Sequence, residues 1–140
     1  MSINGRQKGA SFERLLCKEI QEMIFQELGM AVDLRRNLEQ YRSADLGDIQ
    51  GMEDYGWTVE AKRYGKNQGG SYREEWWRQV TKASEANGSK PVLIFKYDRQ
   101  PIRCAVRLSD INSDFVGKDD VCVVSFETWC MIVREGLCDE

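Results

Sequence analysis

Histidine is absent from all 140 residues. That one absence takes the imidazole out of every mechanism open to this chain. Ser-His-Asp and Cys-His catalysis are excluded, and so are nucleases that hold their metal through histidine. Five cysteines are present (Cys17, Cys104, Cys122, Cys130 and Cys138), but their number is odd and no CxxC pair occurs. Neither a zinc site nor a disulfide framework is expected from them. No apolar run approaches the roughly 20 residues that span a bilayer, so no membrane partner is expected. The opening stretch MSINGRQKGASFERLL has no apolar core of the signal-peptide kind, and a cytoplasmic location is expected. Hydrolysis, if the chain performs it, must run on carboxylates, lysine and metal.

What is present is a composition typical of one globular domain. With 41% hydrophobic and 31% charged residues, the chain is expected to fold as a single unit over 1–140 with a real core. The net charge of −3 speaks mildly against a nucleic-acid binder, which is usually basic. Its distribution softens the objection. Residues 1–105 hold 17 Lys and Arg against 15 Asp and Glu, and residues 106–140 hold 3 against 8.

The richest segment is Gly47 to Arg63, GDIQGMEDYGWTVEAKR. It predicts a hairpin, with Asp48 entering one short strand and Glu60 and Lys62 on the next, after a turn at Asp54-Tyr55-Gly56. Side chains alternate along a strand. Trp57, Val59 and Ala61 therefore share one face, and Thr58, Glu60 and Lys62 the other. Two acids brought together beside a lysine can hold a divalent cation next to a fixed positive charge, which suits phosphodiester hydrolysis. An ordinary hairpin with a solvated charged face has the same pattern.

Around it the pattern alternates between helix and strand. Phe12, Leu15, Leu16, Ile20, Met23 and Ile24 predict a helix over 11–28, ended by Gly29. Glu13 falls inside that apolar stripe, where a carboxylate needs an ion-pair partner or a metal. A strand is expected over 31–35, a polar loop over 37–44, and a basic glycine-rich loop, YGKNQGGSYR, after the hairpin. A second helix over 74–87 has Trp76, Val80 and Ala83 inward and Gln79 flanking them. The apolar run 91–97 predicts a strand buried on both faces. The alternation of 102–108 predicts an outer strand covered on one side. A short strand over 121–124 and a helix over 126–135 complete an α/β sandwich around a mixed sheet.

Taken together, KGASFER, GDIQG, VEAKR, WWRQVTKA and PVLIFK resemble the PD-(D/E)XK nuclease superfamily, and within it the Holliday-junction resolvases of archaea and bacteriophages. The resemblance spans about residues 6–107 and implies the restriction-endonuclease-like core of helix, three strands, helix and strand. It implies that Asp48 and Glu60 ligate Mg²⁺ or Mn²⁺ with the main-chain carbonyl of Ala61, and that Glu13 completes the site from the first helix. Lys62 would orient or help deprotonate the attacking water, and Gln79 would position that water or a phosphate oxygen. Arg6, Lys8, Arg63, Lys66 and Arg73 would contact the DNA backbone. Gly47 stands where the family carries proline. Asp45 competes with Asp48 for the motif position.

The function implied is a metal-dependent, structure-selective DNA endonuclease of the Holliday-junction resolvase kind. Two coordinated nicks require a two-fold homodimer, with its interface on leftover apolar residues of the second helix or outer strands. Two alternatives stay open. One is a nicking or restriction-type endonuclease on linear or damaged duplex. The other is a non-cleaving DNA-binding or assembly module of the same fold.

Overall fold

The structure, a computed structural model, describes residues 5–38, 46–66, 69–115 and 120–138. Helix α1 (Gly5–Ile20) continues into a wider π turn, Gln21–Gln26. It begins earlier than the apolar spacing predicts, and the regular helix ends earlier too. Phe12, Leu16, Ile20, Ile24 and Phe25 form its inner stripe. Leu15, expected in that stripe, lies at its margin and is exposed. Ile24 and Phe25, consecutive in the π turn, are both buried in the core. Gly29, at φ 69°, ends the segment in the left-handed region.

Strands β1 (Arg35–Arg36) and β2 (Ile49–Gln50) form a two-stranded antiparallel ladder of their own. A 3₁₀ turn (Met52–Tyr55) then leads into β3 (Trp57–Arg63). The expected hairpin is therefore corrected. The strand before the turn pairs with β1, and β3 pairs in parallel with β4 (Lys90–Lys96). Only Arg35–Arg36 of the predicted 31–35 strand and its neighbour join a ladder. Helix α2 (Glu74–Asn87) makes the β3–β4 crossover, ending at Gly88, whose N–H donates to the Ser84 carbonyl at 2.8 Å.

The sheet runs β3-β4-β5-β6, with β5 (Arg103–Arg107) and β6 (Val121–Ser125) antiparallel to their neighbours. Strand β5 is thus not an outer strand: β6 covers its edge, and Cys104, Ala105 and Val106 are all buried. A short helix α3 (Leu108–Ile111), absent from the sequence reading, follows β5, and α4 (Phe126–Cys138) closes the chain.

Two cores lie on opposite faces of the sheet. Val59, Val92 and Ile94 pack with α1 and with Trp129 and Val133 of α4. Leu93, Phe95 and Ala105 pack with Trp76, Trp77 and Val80 of α2. Full burial of each such side chain is worth about 1.5–3 kcal/mol. Strand β4 is central and apolar on both faces, as its composition predicts. Among the described residues no helix is long and apolar enough to cross a membrane. The five cysteines are free thiols. Burial pushes the Cys130 thiol up to about 12, and raises Cys104 well above its ordinary value, so neither is ionised at neutral pH.

Candidate active site

The free edge of β3, opposite β4, carries the site. Asp48 docks on it through two hydrogen bonds. Its N–H donates to the Val59 carbonyl at 2.7 Å, and its Oδ2 accepts from the Ala61 N–H at 2.7 Å. Its own carbonyl accepts from the Asn37 N–H at 2.9 Å. These bonds fix both the backbone and the side chain of the aspartate against the strand that bears Glu60. Within a strand, the N–H and C=O of one residue face the same edge. The Ala61 carbonyl consequently faces the edge on which the Asp48 carboxylate sits.

Gly47 is what allows the approach. A Cβ at this position would fall 2.9 Å from the Val59 carbonyl carbon and nearer still to its oxygen. Neither proline nor any L side chain fits with the chain this close to β3. Glu53 holds the same loop from the other side, accepting from the Gly47 and Gly51 N–H groups at 3.2 and 3.1 Å.

Glu60 and Thr58 are on the α2 face of β3, not on a solvated face. Thr58 is satisfied by Ser89 Oγ and by Asn87 Nδ2, the latter at 2.8 Å. Asp48 is 6% exposed and Glu60 2%, and Lys62 Nζ lies 3.9 Å from Glu60 Oε1. Two buried acids cost stability unless compensated. A hard cation sharing them with the Ala61 carbonyl would compensate that charge, and the donor set of carboxylate and carbonyl oxygens fits Mg²⁺ or Mn²⁺.

Glu13, on α1, is near enough to Asp48 for the Asp48 charge to act on it. Its carboxyl is raised above the ordinary range chiefly by burial and further by Asp48. Arg36, whose Nε donates to Glu13 Oε1 at 2.9 Å, opposes that shift. Among the described residues no three Asp, Glu, Cys or His side chains are spaced as a ready-made metal cage. As it stands, Glu13 is turned to Arg36. Arg36, the partner of the candidate Glu13, is not singled out by the sequence, and no local signal marks it, because the two are 23 positions apart.

A sequence profile described as “Phage putative PDDEXK endonuclease” matches residues 4–132, most of the chain. The chain belongs to this PD-(D/E)XK endonuclease family. No curated protein matches it in sequence. Among solved structures it is similar to Hjc from Archaeoglobus fulgidus, a Holliday junction resolvase from an archaeal hyperthermophile. The likeness has a TM-score of 0.51 at 14% identity and covers 92% of this chain and 98% of that one. At that identity the likeness speaks to the fold, a mixed sheet flanked by helices.

The remaining candidates of this family site divide by place. A cleft of about 380 Å³ beside Ala61 is lined by Lys8, Lys62, Arg63 and Tyr64. Lys8 and Arg63 converge on one carboxylate, Asp98, at 3.4 and 2.7 Å. The Arg63 hydrogen bond, with Lys8 beside it, holds Asp98 below its usual range. Lys66 is exposed, and Arg73 lies against the rings of Tyr64 and Trp76. Gln79 is exposed on α2. The side chain of Arg6 and the competing Asp45 lie outside the described residues. Trp76 and Trp77 are both buried, as helix packing requires.

Proposed function

We propose that this endonuclease-family chain is a metal-dependent, structure-selective DNA nuclease that cleaves branched DNA, with the four-way junction as its foremost substrate. The observation that carries this reading is the pair of buried carboxylates, Asp48 and Glu60, on one strand edge with Lys62 3.9 Å from Glu60. A fold stabilised only by packing has no use for two charges there. Mg²⁺ or Mn²⁺ held by Asp48, Glu60 and the Ala61 carbonyl would supply Lewis acidity at the scissile phosphate.

The chain's own residues do the rest. Lys62 presents an ammonium where charge builds on the phosphate and orients the attacking water. Glu13 would hold the ion as a further ligand, directly or through water, when not engaged by Arg36. Gln79 approaches from α2 to position the water. Arg6, Lys8, Arg63, Lys66 and Arg73 track the backbone. Resolution of a junction needs two nicks, hence a homodimer. Val123 on the edge strand β6 and Met131 on α4, both exposed and apolar, are where its two-fold interface is to be sought.

The test is a cleavage assay of the purified protein with Mg²⁺ on junction, flap and linear duplex. Paired symmetric nicks in the junction, absent in EDTA, are expected. Preferential cleavage of linear duplex would move the reading to a nicking or restriction-type enzyme. Binding without cleavage of any substrate would leave a DNA-binding module.

A further inference from the structure

The strand alternation that carries the site does not stop at Arg63. The Tyr64 N–H donates to the Lys96 carbonyl at 3.1 Å, extending β3 by one more rung. Glu60, Lys62 and Tyr64 therefore share one face, each step about 6.6 Å along the strand. Tyr64 also lines the same cleft as Lys8, Lys62 and Arg63.

Its ring is held. It stacks on the buried Trp76 with centroids 5.0 Å apart and an interplanar angle of 14°. The Arg73 guanidinium lies 5.1 Å from the Tyr64 centroid and 5.2 Å from that of Trp76. Three separations near 5 Å place Arg73 at the side of the stack. Were it on the outer face of Tyr64, it would be about twice as far from Trp76. Tyr64 nonetheless remains 38% exposed. A flat, immobilised ring with a cation at its flank thus stands at the rim of the cleft, next to the lysine of the site.

We propose that Tyr64 is a base-stacking platform, which takes an unpaired nucleobase of the strand whose phosphate lies at Lys62. This rests on the nuclease reading and specifies its substrate class. In a continuous duplex both faces of each base are already stacked. Only DNA with a splayed base at the cleavage point, such as a branch point, flap or bulge, can present one to the ring. Stacking needs a π face and no particular edge, so the selection is for structure and not for sequence. The phenolic hydroxyl plays no part in it.

The experiment uses the full chain in Ca²⁺, with 2-aminopurine at the branch-point positions of a four-way junction and at matched positions in a linear duplex. The wild-type protein and Tyr64→Phe should both change the junction probe's fluorescence. Tyr64→Leu should abolish that change and weaken junction binding by about tenfold or more, a clearly larger loss than on the duplex. Because Tyr64 also packs on Trp76, a second readout avoids the mutation. Irradiation of wild-type protein on a junction carrying 5-iodouracil at the branch should cross-link Tyr64, mapped by mass spectrometry. Equal losses on junction and duplex, or cross-links that omit Tyr64, would overturn the platform. A protein that still nicks the junction under those outcomes leaves the nuclease reading intact, and one that cleaves no DNA ends that reading first.

Discussion

Arg36 holds Glu13 by a hydrogen bond from Nε to Oε1 at 2.9 Å, so the first strand restrains a carboxylate of the first helix on which the Asp48 charge acts. Burial raises the Glu13 carboxyl most, the Arg36 hydrogen bond opposes it, and the Asp48 charge raises it again. The directions separate by mutation. Arg36→Gln should move the Glu13 titration to higher pH, and Asp48→Asn should move it lower, both read from side-chain carboxyl NMR of the metal-free protein. Added Ca²⁺ should depress it, since a ligating carboxylate must be ionised. A Glu13 titration indifferent to Ca²⁺ would take that residue out of the metal site.

Asp48→Asn and Glu60→Gln should each abolish cleavage, because each removes a charge from a site with few ligands. Their effect on folding should be the opposite of harmful. The amide oxygen at position 48 can still accept from the Ala61 N–H, and a neutral residue 60 no longer needs compensation in the interior. Lys62, partly exposed, can turn to water once its partner is neutral. In EDTA both variants should therefore melt at or above the wild-type temperature. Calorimetry showing either one several degrees lower would mean the acid is structural.

Lys62→Ala should lose turnover by about 10²–10³-fold, the usual cost of removing one group that stabilises transition-state charge. Its Mn²⁺ affinity, followed by electron paramagnetic resonance, should stay close to wild type, because an ammonium is not a ligand. A loss of Mn²⁺ binding as deep as that of Asp48→Asn would show that the roles have been assigned wrongly.

The parts of this fold that the sequence makes legible are those set by local periodicity. The stripe Phe12, Leu16, Ile20 and Ile24, the doubly buried β4 and the inner face of α2 each follow from spacing alone. The alternation of β3 likewise separates Val59 from Glu60. What spacing cannot carry is pairing. Nothing in Ile49–Gln50 says that its partner is Arg35–Arg36 and not the strand just after the turn. The edge position assigned to β5 fails for a related reason, since its cover comes from a strand after a short helix and an intervening segment. At the site, the strand face of Glu60 and Lys62 is readable, but its burial is not, because α2 covers it from outside the motif. Gly47 is visible as a departure from the family's proline. Only the distance to Val59 gives it a cause.

Asp98 accepts from both Lys8 and Arg63 beside the cleft, standing where a DNA phosphate would meet the same two cations. In the DNA-free protein that pairing subdues a basic patch on an acidic chain, and a bound backbone would have to displace it. Asp98→Asn should therefore raise affinity for a labelled junction in Ca²⁺, measured by fluorescence anisotropy. It should also steepen the salt dependence, since each newly engaged phosphate adds about 0.9 to the slope of log K against log salt. A steepening of between about 0.9 and 1.8 would correspond to one or both cations. Lys66→Gln, removing an exposed cation outside the triad, should flatten the slope by about 0.9. Because Asp98 is not among the proposed metal ligands, the position of the nick should not move. Affinity should fall in every variant when Ca²⁺ is withdrawn, as the negative charge of Asp48 and Glu60, no longer shared with a divalent cation, then acts on the phosphate. An unchanged slope in Asp98→Asn would mean that Lys8 and Arg63 serve the fold and do not touch DNA.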